Sequence, residues 1–286
     1  MPLADLPTVS IIIVNYNGAD VILNCLASLY NHLEQLSYEI IVVDNNSQDG
    51  SPGCIAQRFP NVILLQQSTN LGFGTANNLG AHYAQGEMLF LLNSDTLLTA
   101  NILPKLIAKL TQASHVGIVG PQLRNPDGTF QLSVAREIGI WGEFQTLQQV
   151  RRYRAPSARS VLAKLYAHDQ RVDIVIGAAM LMRRSLFEQI GGFDETFFMY
   201  FEESDLCKRV RDLGYIILYT PEVSLIHRGG YSVAKVQGSM CEVYRCSQRY
   251  YYKKHRPAWE CWLLNAYLAL KAGSADVVSR VRAILA

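Results

Sequence analysis

Apolar residues in this chain gather in short runs bounded by turn residues. Four come before residue 100: Val9 to Val14, Glu39 to Val43, Val62 to Leu65 and Met88 to Leu92. Each reads as a strand, and the stretches between them carry helical spacing. Val21, Leu23, Cys25, Leu26 and Leu29 suit a helix after the first strand, and Asn77 to Ala84 suits another before the fourth. Strand and helix in alternation predict an α/β fold, a mainly parallel sheet with helices on both faces. Residues 131 to 171 lack a clear period and hold Arg151, Arg152, Arg154 and Arg159 around Pro156, which predicts an inserted loop or short helices. Val172 to Met182 then reads as a buried strand, Arg184 to Ile190 as a short helix and Gly191 to Asp194 as a turn. From Glu202, the spacing of Leu206, Val210 and Leu213 predicts an amphipathic helix that stops at Gly214. Tyr215 to Tyr219 and Val223 to Ile226 are two further strands.

Ligands of such sheets sit at the carboxyl ends of the strands. Here those ends are Asn15-Tyr16-Asn17-Gly18, Asp44 to Gly50, Ser68 to Gly74, and Asn93-Ser94-Asp95. One such cluster is an ordinary turn. Four on one edge make a rim of carboxylates, amides and approachable backbone, suited to a polar, phosphorylated ligand. Gly72, Gly74 and Gly80 do not form a dinucleotide fingerprint, because position 77 is asparagine, and no Gly-x-x-x-x-Gly-Lys-Ser/Thr loop is present. Dehydrogenase and phosphate-loop ATPase readings are therefore poorly supported.

Composition narrows the class. With 286 residues, 49% hydrophobic and 17% charged, the chain can bury a large core, which excludes disorder. The net charge of +2 hides an asymmetry: residues 1 to 150 carry 5 basic and 11 acidic side chains, the remainder 21 and 13. The back half can meet phosphates or anionic lipid, whereas the front half cannot. The first basic residue is Arg58, so Val9 to Val14 lacks the positive flank of a signal peptide. Six cysteines without a pairing framework are expected as free thiols in a reducing compartment, and no apolar run reaches the roughly 20 residues of a bilayer span. The expected location is the cytoplasm.

The blocks Val9 to Asn17, Val42 to Ser47, Asn70 to Gly74, Leu91 to Asp95 and Phe198-Met199-Tyr200-Phe201-Glu202-Glu203-Ser204-Asp205-Leu206, in that order, resemble a family 2 inverting glycosyltransferase with the GT-A fold. Within that family the chain is most similar to bacterial rhamnosyltransferases of cell-surface polysaccharide assembly. The resemblance covers residues 8 to about 232. It implies a catalytic domain over residues 1–232, nucleotide-binding over about 8–100 and acceptor-binding over about 101–232, followed by a basic, aromatic helical extension at 233–286.

The implied roles follow the chemistry of sugar transfer, which needs a grip on the nucleotide, compensation of charge on the departing diphosphate, and a base for the acceptor hydroxyl. The resemblance gives the nucleotide base to Asp44, with Asn15, Tyr16 and Asn17 flanking it, and brings Asn70 and Gly74 to the nucleotide or sugar. Asn93-Ser94-Asp95 stands where the family has its Asp-x-Asp metal motif, so Asp95 is expected to bind Mg or Mn while Asn93 contributes an amide or orients sugar. His227 matches a histidine near the diphosphate or its metal. Glu203 is the expected base, Asp205 the reserve, and Glu202 the residue that orients the acceptor or the neighbouring backbone. Such an acidic cluster can also serve only to interact favourably with a helix dipole, although three close carboxylates also repel and raise a proton affinity. Gly177 and Ala178 resemble the small-residue wall that admits the acceptor.

Residues 244 to 256 hold ten basic or aromatic side chains, Tyr250 to Tyr252 among them, and no acid, and Trp259, Trp262 and Leu263 follow. Such a tail suits an anionic membrane surface, in keeping with peripheral attachment to the inner face of the plasma membrane, or a helix packed on the core. The expected partners are a nucleotide-diphosphate sugar, first dTDP-rhamnose, and a saccharide or lipid-diphosphate-linked acceptor, with no nucleic acid. The alternatives are a sugar-phosphate nucleotidyltransferase and a non-catalytic nucleotide-sugar or glycan-binding protein. The glycosyltransferase reading requires that Asp44, Asp95 and Glu203 line one cleft.

Overall fold

The structure is a computed structural model that describes residues 7–34, 36–229 and 240–270, apart from the side chains of 156–158. The 232/233 boundary and Gly230 to Ser232 lie outside the described residues. Strands β1 (Val9–Asn15), β2 (Tyr38–Asp44), β3 (Ile63–Gln66) and β4 (Met88–Asn93) pair in parallel in the order β3-β2-β1-β4. Helices α1 (Ala19–His32), α2 (Ser51–Arg58) and α3 (Phe73–Tyr83) connect them. All four sequence-predicted strands and both predicted helices are present, each within a few residues of its expected ends. Period-two alternation decides which face each strand residue serves. Ile11, Ile13, Val42, Phe90 and Leu92 pack under α1, while Ile12, Ile41, Val43, Leu89 and Leu91 belong to the core on the opposite face.

The chain continues through β5 (Thr96–Leu98), α4 (Leu103–Thr111), β6 (Val116–Arg124), β7 (Val134–Ala135), α5 (Ile140–Arg154), α6 (Pro156–Leu165), β8 (Gln170–Val172), β9 (Ile174–Val175), β10 (Ala179–Arg183), α7 (Arg184–Gln189), α8 (Glu202–Asp212) and β11 (Ile216–His227). The large sheet runs β3-β2-β1-β4-β10-β6-β11-β5, with β8 beside β11. β10 is antiparallel to both its neighbours, β5 and β8 are antiparallel to β11, and β6 and β11 are parallel.

Two expectations change in detail. The run from Val172 to Met182 is not one strand: β9 pairs with β7, β10 joins the main sheet, and the chain breaks between them at Ile176 to Ala178. Conversely, the two strands expected over 215–226 are one, β11, whose register on β6 shifts between Thr220 and Ser224, around Pro221. The aperiodic segment contains α5 and α6, and α5 has no buried residue, which explains the missing period.

Two helices, Met240–His255 and 258–270, close the described chain. Tyr251, Tyr252, Leu264 and Leu268 form a third apolar cluster with Phe197 and Phe201, just before α8. The tail therefore packs on the core.

Candidate active site

A cavity opens at the carboxyl edge of the sheet. β1 delivers Tyr16, β2 Asn45, β3 Asn70 and Gly72, and β4 Asn93, Ser94 and Asp95. The break before β10 supplies Ile176, Gly177 and Ala178 as one wall, tied to the end of β4 by the Asn93 N–H donating to Ala178 O at 2.9 Å. Met199, Tyr200, Glu202 and Glu203 close the far side. Asp95 and Glu203 thus line one cavity.

Asp44, the third residue expected in that cleft, does not line it, so the expected convergence holds for two of the three. Its carboxylate is buried and accepts from Asn15 Nδ2 at 2.8 Å, from the Ser47 N–H at 2.9 Å and from Ser47 Oγ at 2.6 Å. Asn15, also fully buried, donates on to Ser51 Oγ at 2.8 Å, and Asn17 accepts from the Gln48 N–H at 2.8 Å. Asn15, Asn17 and Asp44 thus form a polar network that welds the loops after β1 and β2 together behind the cavity. The residue that faces the cavity is Asn45, one position on: Nδ2 donates to Gly72 O at 3.0 Å, while Oδ1 is buried with no partner among the described residues. Gly74 lies outside the lining too, because it packs against Phe193 and Glu202. Gly72 has φ +83°, and a β-carbon there would collide with Phe198 O, so the close approach of this loop to the turn before α8 requires glycine.

Asp95 and His227 meet at the other end. Gly229 N–H donates to Asp95 Oδ2 at 3.1 Å, and His227 Nε2 stands 3.4 Å from Asp95 Oδ1. Gln131 orients the ring. Its Nε2 donates to His227 O at 3.2 Å and to Asn125 Oδ1 at 3.3 Å, so its Oε1, 3.0 Å away, is the acceptor for His227 Nδ1–H. Nε2 is thus the ring nitrogen turned toward the Asp95 carboxylate, a nitrogen and oxygen pair that a proton or a metal cation can bridge. Gln131 carried no signal in the sequence, since it belongs to the aperiodic segment.

The acidic helix start divides into two parts. Burial pushes the proton affinity of both Glu202 and Glu203 up, and the neighbouring Glu203 charge raises Glu202 further. Glu202 Oε2 has no partner among the described residues, and neither does the buried Asn93 Oδ1. Asp205, the reserve base, is a different case. It points away from the cavity lining, is fully buried, and accepts from Arg209 Nε at 2.7 Å while Lys254 Nζ and His255 Nε2 each lie 2.6 Å away. Burial alone would raise its carboxyl, but His255, Arg209 and Lys254 together hold it below the ordinary range. A carboxylate bonded to three basic side chains outside the cavity is poorly placed to act as the base, and the acidic trio divides into a pair and Asp205.

The turn preceding these glutamates is strained. Tyr200 and Phe201 adopt φ of 69° and 70°, a region that bulky side chains rarely occupy and that recurs at functional sites.

Residues 10–191 match the model of the glycosyl transferase family 2, about two thirds of the chain. The chain belongs to this family. It is 29% identical over 282 residues to the N-acetylglucosaminyl-diphospho-decaprenol L-rhamnosyltransferase of Mycobacterium tuberculosis (strain CDC 1551 / Oshkosh), covering 92% of this chain and 91% of the relative. It is 26% identical over 228 residues to the rhamnosyltransferase WbbL of Escherichia coli (strain K12), covering 77% of this chain and 83% of the relative. The mannosyltransferase PcManGT from Pyrobaculum calidifontis, solved with GDP-Man and Mn2+, shares the GT-A fold at a TM-score of 0.55 and 20% identity, over 98% of this chain and 81% of that one. The chain is a glycosyltransferase, and its cavity lies at the carboxyl ends of the strands, where open α/β sheets receive ligands. Among the described residues no helix is long and apolar enough to cross a membrane.

Proposed function

We propose that this glycosyltransferase transfers a deoxysugar, first rhamnose from dTDP-rhamnose, to a lipid-diphosphate-linked saccharide, with inversion and with Glu203 as base. The observation that carries the reading is the common cavity of Asp95 and Glu203, far apart in the chain. Glu203 takes the proton of the acceptor hydroxyl as that oxygen attacks the anomeric carbon, and the bond to the diphosphate breaks on the opposite face. A single displacement inverts the centre and leaves no sugar on the enzyme. The raised proton affinity of Glu203 suits a group that must hold a proton after the transfer. The unpartnered acceptors Asn45 Oδ1, Asn93 Oδ1 and Glu202 Oε2 suit a ligand rich in O–H and N–H donors, as a sugar and a pyrimidine are. Because Asp44 is engaged elsewhere, Asn45 is the better candidate for the nucleobase.

Asp95 and His227 would hold a divalent cation. Among the described residues no group of three or more His, Cys, Asp and Glu could do so alone, so the donor diphosphate would complete the shell. When bound, such an ion neutralises charge on the departing diphosphate.

The lipid acceptor places the protein at a bilayer. The sequence suggested the cations of 244–256 together with Trp259 and Trp262 as the contact; of these, Lys254, His255 and Arg256 are turned onto Asp194, Asp205, Glu137 and Glu260. The better surface is formed by α5 and the helix 258–270, which meet where the Ile140 N–H donates to Glu260 Oε2 at 3.2 Å. Beside that contact stand the exposed rings of Trp141, Phe144, Trp259 and Trp262, and Arg151, Arg152 and Arg154 lie exposed along α5. Sedimentation with anionic vesicles is expected to lose Trp141→Glu/Trp262→Glu protein; unchanged binding contradicts this surface.

A screen of nucleotide sugars with and without Mn2+ or Mg2+ tests the activity. Release of nucleoside diphosphate only when lipid-linked acceptor is present is expected. Release of inorganic diphosphate from a nucleoside triphosphate and a sugar phosphate would indicate a nucleotidyltransferase, and donor binding with no release a non-catalytic protein.

A further inference from the structure

We infer that the helix Met240–His255 is a positioning element for the catalytic glutamates, clamping the chain on both sides of them. The inference rests on Glu203 as base.

Before the glutamates, the helix grips the strained turn. Ser247 Oγ donates to Met199 O at 2.8 Å. The Tyr244 ring centroid lies 5.4 Å from that of Tyr200 and 5.0 Å from that of Phe201, the two residues with φ near +70°, and Tyr251 adds a ring 5.8 Å from Phe201. Consecutive non-glycine residues keep such a conformation only where surrounding contacts over-determine it. After the glutamates, Lys254 and His255 reach Asp205, three and two positions on from Glu202 and Glu203; Lys254 also pairs with Asp194, on the near side of them, at 2.6 Å. Tyr250 OH donates to the same Asp194 carboxylate at 2.9 Å.

The clamp has something to oppose. Glu202 and Glu203 are adjacent, like-charged when ionised, and taken from water, so swinging the start of α8 outward would relieve both repulsion and desolvation. Phe201, at the helix start, offers no side-chain cap to hold it. A segment beginning more than thirty residues later therefore adds to the Phe73 N–H bond to Phe198 O, at 3.0 Å, in holding the two carboxylates at the cavity.

The test uses the full chain with Tyr244→Ala, Lys254→Met and Ser247→Ala, read by steady-state kinetics and by hydrogen exchange over residues 197–206. Each variant is expected to lower kcat, about 10-fold to 100-fold for the first two and less for Ser247→Ala, with the donor KM within about 2-fold. Amide exchange over 197–206 should quicken, and Tyr244→Phe, which keeps the ring, should restore both readouts. Ser247→Ala removes a single hydrogen bond and keeps the test decisive if a larger change prevents folding. Unchanged exchange over 197–206 in variants that fold, or a kcat loss shared equally by Tyr244→Phe, overturns the inference. An active Glu203→Gln enzyme would instead remove the base assignment, while the exchange readout would still report whether the helix holds the turn.

Discussion

Gly177 faces Glu203 so closely that a β-carbon at position 177 would stand 3.3 Å from Glu203 Cβ and 3.5 Å from its Cγ. The wall residue and the proposed base are thus fitted to each other, and the wall can be used to move the base. Gly177→Ala is expected to shift Glu203 by a few tenths of an ångström and lower kcat by roughly 10-fold, with the donor KM little changed, because misplacement of a reacting group is costly even below 1 Å. Steady-state kinetics checks it.

The Gln131, His227 and Asp95 chain makes a prediction about metal affinity. His227→Ala removes a ligand of the proposed site, and Gln131→Leu frees the ring that the ligand belongs to. Mn2+ binding in the presence of nucleoside diphosphate, followed by electron paramagnetic resonance, is expected to weaken about 10-fold to 100-fold in both.

Asp205 predicts a stability change with a defined pH dependence. Its carboxyl is held below the ordinary value of 3.8, so the stability it contributes is present above that pH and is lost as pH falls through the folded-state value. Asp205→Asn is expected to cost about 1–3 kcal/mol at pH 7, by removing the buried charge on which Arg209, Lys254 and His255 converge. In urea denaturation the gap to the unaltered protein should narrow below about pH 4.

Glu202 predicts the opposite sign. Its proton affinity is raised above the ordinary value of 4.5, so the folded state retains a proton that the unfolded chain gives up, and stability falls as pH rises beyond that value. Glu202→Gln should melt a few degrees above the unaltered protein at pH 8, and the two should converge near pH 4. A thermal scan across that range decides it.

The strand pattern and the polar edge were legible because both are local: a run of apolar residues specifies a strand, and a turn cluster specifies where it stops. Which of two adjacent polar residues then faces the ligand is not local. β2 runs through Asp44, so Asp44 turns down to Asn15 and Ser47 and its neighbour Asn45 turns up to the cavity. Asp205 misled for a related reason. Three carboxylates in one helical turn look alike in sequence, and only the return of Lys254 and His255, about fifty residues later, separates the third from the other two. The same return explains why the tail looked like a free basic surface. Gln131 escaped notice, and α5 was foreseen only as a loop or short helices, because neither belongs to a buried, periodic element.

The account rests on Glu203 taking the acceptor proton inside the cavity that Asp95 shares. Glu203→Gln keeps the shape of the side chain and removes the basic oxygen, so nucleoside diphosphate release and donor affinity should be measured together on that variant. The predicted result is a fall in acceptor-dependent release of about 10²-fold to 10⁴-fold with donor affinity within about 2-fold; release at more than a tenth of the original rate would contradict it.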